Sequence, residues 1–261
     1  MDDPRRTPEQ GRITEDTPAS VNVPIADLDR SPRGPRDRQL LYGDTVTILA
    51  RETDSVLVRA AKDGYCGWLP REACGPAQTA SHRVTVRATH AYAAPDIKSP
   101  DRVALSFGSQ LTALAETATF VECALGFVPR QHVHTVGTLA DDPAAVAELF
   151  LGTPYLWGGN SSAGIDCSGL IQAACLACGI PCPGDSDQQE FELGAPLSAS
   201  ESLRRNDVIF WRGHVALVTD ADTILHANAG YMATVFEPIS DAIARIETQD
   251  GGMPTTYKRF L

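Results

Sequence analysis

The sequence predicts an α+β protein, with two small β-barrels in tandem followed by a domain in which helices precede antiparallel strands. Three observations predict it. Short apolar runs separated by turn residues fill the chain up to about residue 138. Two stretches of that region repeat each other in order. After "TLADD" the hydrophobic period switches from strand-like to helix-like before strands return.

Residues 1–20, "MDDPRRTPEQGRITEDTPAS", are polar and proline-rich and read as a loose arm. They lack the apolar core of a signal peptide, and no later run is long enough to span a bilayer, so a cytoplasmic protein is expected. Seven cysteines, odd in number and irregularly spaced, make no disulfide framework, which agrees with a reducing compartment. The net charge of −11 without a long basic block argues against nucleic-acid and anionic-membrane partners.

The barrels are expected over 21–76 and 77–138. Their strands are "TVTILA", "SVLVRAA" and "YCGWLP" in the first, and "HRVTVRA", "QLTALAE" and "TFVECAL" in the second. Three matched pairs carry the repeat: "DLDRSP" (27–32) with "PDIKSP" (95–100), "LYGDTVTIL" (41–49) with "SFGSQLTAL" (106–114), and "GYCGWLPREAC" (64–74) with "ALGFVPRQHV" (124–133). The last domain is expected over 139–261. "DPAAVAELFLG" has an Asp cap, a first-turn Pro and a closing Gly, and reads as a helix. "CSGLIQAACLACG" (167–179) is a second helix, with Leu170, Ala174 and Cys178 on one face. Strands "DVIFW", "HVALVTD" and "TILHANAG" follow, then a polar section ending in "TTYKRFL".

Cys167 at the mouth of a helix has two readings. Free cysteine is a small, usually buried hydrophobe. A helix N-terminus also stabilises a thiolate. A thiol nucleophile needs a base, and His214 and His226 open and close strands of the same domain. In a papain-like arrangement His214 takes the thiol proton and pairs with the thiolate as imidazolium, while His226 holds its far ring nitrogen. The backbone N–H of Cys167 is placed to donate to an oxyanion.

"GTPYLWGG…GIDCSGLIQ", "GHVALV" and "LHANAG" resemble the NlpC family of cysteine peptidases, over roughly residues 140–261. "PGDSDQQ" (183–189) resembles the family's stretch after the nucleophile helix, and the tandem barrels resemble the bacterial SH3-like domains that precede such catalytic domains. The resemblance implies a papain-like catalytic domain behind two SH3-like barrels. It also implies cleavage of the γ-D-Glu–diamino acid bond in free murein stem peptides that carry an unblocked L-Ala. It gives Cys167, His214 and His226 the catalytic roles and Tyr155 the support of the oxyanion. Asp166 and Ser168 would meet the substrate amine, and Trp157 and Ser186 would line the cleft. Tyr65 in "DGYCGW" would close the amine end; the family's acidic partner in that domain is not placed by any motif, and Asp44 is one candidate for it. A small peptide substrate and no cofactor are implied.

Other readings stay open at this stage. Cys175, Cys178 and Cys182 have zinc-like spacing without an obvious fourth ligand, and His132 and His134 form an H-x-H pair at the end of the second barrel. A non-catalytic wall-fragment binder, or an amidase or acyltransferase on the same fold, would use the same scaffold. No motif encodes the diamino acid or the oligomeric state.

Overall fold

A computed structural model describes residues 3–8, 10–198, 200–249 and 251–260. The chain divides into two compact units, Met1–Thr138 and Leu139–Leu261.

In the first unit, β1 (Thr17–Val21), β2 (Ile25–Asp29), β3 (Arg36–Leu41), β4 (Thr45–Arg51), β5 (Ser55–Ala60), β6 (Cys66–Pro70) and β7 (Cys74–Pro76) form one sheet in the order β3-β2-β6-β5-β4-β1-β7. Eight shorter strands follow: β8 (His82–Val84), β9 (Ala88–Tyr92), β10 (Asp101–Ser106), β11 (Gln110–Leu111), β12 (Ala115–Glu116), β13 (Phe120–Cys123), β14 (Gly126–Pro129) and β15 (Val133–Thr135). They make a five-stranded sheet, β10-β9-β14-β13-β12, and a three-stranded one, β11-β8-β15. Each set closes on its own apolar core. Leu28, Val46, Val56, Val58 and Leu69 fill the first, and Val84, Leu105, Leu111, Val121 and Val128 fill the second.

The sequence repeat reappears in the backbone. Tyr42, Gly43 and Asp44 donate to Pro24, Val21 and Leu41, while Phe107, Gly108 and Ser109 donate to Arg87, Val84 and Ser106. Both turns need a left-handed residue, and Gly43 (φ 81°) and Gly108 (φ 87°) supply it. Likewise β6 and β14 each end in proline and run into a single 3₁₀ turn, Arg71–Ala73 and Arg130–His132. Two details differ from expectation. The stretch "HRVTVRA" is not one strand, because β8 stops at Val84 and β9 starts at Ala88. The arm is also shorter than residues 1–20, since β1 begins at Thr17 and pairs Thr17–Ser20 with Thr45–Ile48. Upstream of it, Thr14 and Glu15 donate to Leu49, and Arg5 accepts from Cys66. Residues 1, 2 and 9 of the arm lie outside the described residues.

The second unit contains α1 (Pro143–Glu148), β16 (Asn160–Ser161), β17 (Gly164–Ile165), α2 (Cys167–Ala177), α3 (Ser186–Glu192), β18 (Ala195–Pro196), β19 (Asp207–Trp211), β20 (His214–Val218), β21 (Thr223–Asn228), β22 (Ala233–Pro238), α4 (Ile239–Thr248) and β23 (Thr256–Arg259). Six strands form an antiparallel sheet in the order β18-β23-β19-β20-β21-β22. The α2 helix is buried nearly all round, from Cys167 through Gln172 and at Ala174, Cys175 and Ala177, rather than on one face. The polar C-terminal section is structural. Ala242 and Ile246 of α4 pack on Ile209, Trp211, Ala216, Val218 and Ile224, and β23 lies inside the sheet. Arg259 of β23 forks onto Asp207, which is 1% exposed, with bonds of 2.8 and 2.7 Å. Among the described residues, no helix is long and apolar enough to cross a membrane.

Candidate active site

Asp166 caps α2 and ties the helix mouth to the preceding turn. Its Oδ1 accepts from Gly169 N–H (2.6 Å) and Ser168 Oγ–H (3.0 Å), and its Oδ2 accepts from Gly158 N–H (2.9 Å). Gly169 is required for close approach, because a Cβ there would sit 2.5 Å from the Gly159 carbonyl. This anchoring holds Cys167, 7% exposed, at the first turn of α2. Backbone N–H groups at its own helix start and of Val215, the residue after His214, lower the Cys167 thiol.

The sheet supplies the groups opposite. Side chains alternate between faces along a strand, so register decides which residues share one. Leu217 pairs with Leu225, Val218 with Ile224, His226 with Val235 and Ile224 with Glu237. Stepping by two from these pairs puts His214, His226 and Glu237 on one face of β20, β21 and β22, each diagonal to the next. They form a chain of contacts. His214 Nε2 lies 2.9 Å from His226 Nδ1, and His226 Nε2 lies 2.9 Å from Glu237 Oε2. Arg245 of α4 forks onto the same carboxylate, Nε to Oε1 at 2.9 Å and Nη2 to Oε2 at 2.7 Å. His214 also packs on Trp211 across the hairpin, with ring centroids 5.7 Å apart.

Burial and then the Asp166 carboxylate push the Cys167 thiol up, and the backbone N–H groups only partly offset this. Burial, followed by His226 and Arg245, pushes His214 down, with Glu237 opposing. Both directions oppose the resting ion pair expected from the helix N-terminus alone. The helix terminus is outweighed because desolvation and the adjacent carboxylate both act against the thiolate. Such a site suits general-base catalysis, with the proton leaving the thiol as sulfur attacks. Tyr155, half-buried, is held by its N–H to Met232 and a bridge to Ile165. Burial, Cys167 and Asp166 keep its phenol protonated, so it remains a donor.

A model of the NlpC/P60 family matches residues 152–246, and one described as a bacterial dipeptidyl-peptidase SH3 domain matches residues 28–73. Residues 152–246 are an NlpC/P60 domain. The protein is an NlpC/P60 cysteine peptidase. Dipeptidyl-peptidase 6 of Lysinibacillus sphaericus is 29% identical over 227 residues, covering 74% of this chain and 80% of that protein. The γ-D-glutamyl-L-lysine dipeptidyl-peptidase of Bacillus subtilis (strain 168) is 28% identical over 215 residues, covering 72% and 71%. The crystal structure of an NlpC/P60 family protein from Bacillus cereus ATCC 10987 has the same fold, with a TM-score of 0.78 at 21% identity over 94% of this chain and 100% of that one.

In this NlpC/P60 peptidase, Asp166, Ser168, Cys167, Tyr155, His214 and His226 fall in one unit. Trp157 is 67% exposed, and Ser186 opens α3 half-buried. Tyr65 is buried in the core of its own barrel with the Arg38 guanidinium 5.9 Å from its ring. Asp44 in the same barrel accepts from Leu41 N–H (3.0 Å) and pairs with Lys62 (2.9 Å). Cys175 and Cys182 are buried, the Cys182 thiol donates to the Pro183 carbonyl, and all seven cysteines are reduced thiols. Among the described residues, no three His, Cys, Asp or Glu side chains gather as metal ligands would. His132 contacts Thr89 Oγ1 at 2.8 Å. Sequence reasoning missed Glu237 and Arg245. The available signal was alternation, since Ala233, Val235 and Glu237 share a strand face, but a Glu before Pro-Ile reads as a solvated charge at a helix start.

Proposed function

We propose that this NlpC/P60 peptidase cleaves the bond between γ-D-Glu and the following diamino acid in short murein stem peptides, releasing L-Ala-γ-D-Glu. The observation that carries the reading is the His214–His226–Glu237 chain, which begins at the residue before Val215, whose backbone N–H lowers the Cys167 thiol. The names of the two relatives, a dipeptidyl-peptidase 6 and a γ-D-glutamyl-L-lysine dipeptidyl-peptidase, support the bond class.

In this mechanism His214 removes the thiol proton as Cys167 Sγ attacks the γ-carbonyl. The backbone N–H of Cys167 and the Tyr155 phenol receive the oxyanion. His214 returns the proton to the departing amine, and the γ-glutamyl group stays on sulfur as a thioester. Water then attacks, with His214 again taking the proton, and Cys167 is released as the thiol. Asp166, with Ser168 hydrogen-bonded to it, receives the L-Ala ammonium. Neutralising that carboxylate removes one of the two causes that push the thiol up. A free amine therefore raises kcat as well as lowering KM. Trp157 and Ser186 belong to the walls of the cleft. The setting is cytoplasmic, where free thiols persist and only short recycled peptides are met.

The test compares L-Ala-γ-D-Glu-diaminopimelate with its N-acetyl form, on the full chain. Loss of a buried charge contact costs on the order of 3 kcal/mol, or about a hundredfold in kcat/KM. Equal cleavage of both peptides refutes the free-amine requirement. Substrate blocking is a cleaner probe than Asp166→Asn, which also puts an amide donor against the Gly158 N–H.

A further inference from the structure

Glu237 and Arg245 lie outside every motif that pointed to the site, yet they end the chain that starts at His214. Arg245 donates to both oxygens of Glu237, so the carboxylate is ionised and offers acceptors only. Its Oε2 lies 2.9 Å from His226 Nε2, which must therefore carry the proton. A neutral imidazole has one N–H, so His226 Nδ1 is an acceptor. Its partner at 2.9 Å, His214 Nε2, must then be the donor, and His214 Nδ1 is left with a lone pair.

A competing group sits at the same nitrogen. Asn228 Oδ1 accepts from Tyr231 N–H, which turns the amide nitrogen toward His226 Nε2 at 2.9 Å. An amide N–H can serve only an unprotonated Nε2. If Asn228 prevailed, the proton would sit on His226 Nδ1, His214 Nε2 would become the acceptor, and His214 Nδ1–H would have no lone pair for the thiol. The groups facing His226 are thus His214 from β20, Asn228 on its own strand, Glu237 from β22 and, through Glu237, Arg245 of α4 and Tyr231, whose hydroxyl is 3.4 Å from Oε1.

We propose that Glu237, clamped by Arg245, is a positioning residue that overrides Asn228 and fixes, through His226, the His214 tautomer that presents Nδ1 to Cys167. This rests on the roles proposed for Cys167 and His214. The ionised carboxylate wins because a charge-assisted bond is roughly twice as strong as a neutral one.

The experiment reads the imidazole nitrogens by NMR on the full chain labelled with ¹⁵N-histidine, near pH 7.5, together with kcat and KM on L-Ala-γ-D-Glu-diaminopimelate. The wild type should show Nε2–H on both His214 and His226. Glu237→Gln keeps the shape, but its amide oxygen faces Arg245 and its NH₂ faces His226. Both imidazoles should then switch to Nδ1–H, and kcat should fall about tenfold to a hundredfold with little change in KM. Adding Asn228→Asp restores an anionic acceptor at the same nitrogen and should recover the tautomer and part of kcat, which a merely structural role would not do. An Nδ1–H tautomer on wild-type His226 overturns the proposal even if the Gln variant fails to fold. So does a Gln variant that keeps both tautomer and kcat. Turnover that survives Cys167→Ala or His214→Ala sinks the catalytic reading itself, whereas loss of turnover in those variants with an unmoved tautomer in Glu237→Gln sinks only this one.

Discussion

Replacing Glu237 by Gln should destabilise the second unit in a way that depends on pH. Glu237 is 3% exposed, and Arg245 keeps 21% of its side chain in water. Burial raises the carboxyl, but the bonds from Arg245 and His226 outweigh it and hold the group at about 2, against an ordinary 4.5. A group depressed on folding stabilises the fold above its unfolded pKa and loses that contribution as pH falls toward its folded one. The full shift corresponds to roughly 3 kcal/mol, and screening at the exposed Arg245 end reduces this to about 2 kcal/mol at pH 7. By pH 3, where the unfolded carboxyl is protonated and the folded one is not, less than about 1 kcal/mol of the gap should remain. Urea unfolding followed by hydrogen exchange in the peptide spanning β21 and β22 isolates this unit from the barrels. Equal gaps at pH 7 and pH 3, or a gap at pH 7 below about 0.5 kcal/mol, would refute the reasoning, since a surface ion pair behaves that way.

The remaining predictions concern turnover of the stem tripeptide. Cys167→Ala should abolish hydrolysis without unfolding the chain, and stopped assays on the purified variant check this. His214→Ala should lose nearly all activity and His226→Ala less, because an orienting residue does not itself transfer the proton; equal losses would remove that hierarchy. The acid limb of kcat/KM should lie well below 6.5, since burial and the nearby His226 and Arg245 keep His214 unprotonated as pH falls. A limb at or above 6.5 would refute the depression of His214.

Several features were legible before any coordinates. The "DVIFW" strand ends at Trp211 as read, and "CSGLIQ" opens a helix at Cys167, because caps, turn residues and short apolar runs are local signals. The turns at Gly43 and Gly108 follow the same logic, since a left-handed turn selects glycine wherever it recurs. The motifs around Cys167, His214 and His226 were readable because each is contiguous, and their order along the chain survives changes in the loops between them.

Three-dimensional packing decided the rest. The α4 helix and β23 were hidden in a polar stretch, where tertiary burial of Ala242, Ile246 and Lys258 overrides composition. Asp166 reads in sequence as a substrate contact, and the fold adds to that a helix cap with three hydrogen bonds. By itself the sequence determined which residue types were present and which local elements they would start and stop, because those depend on neighbours in the chain. Only the tertiary structure decided that Glu237 meets His226, that Arg245 keeps it ionised, and that burial opposes charge on both Cys167 and His214. Each of these is set by strand register and desolvation, which involve groups far apart in sequence and have no local signature.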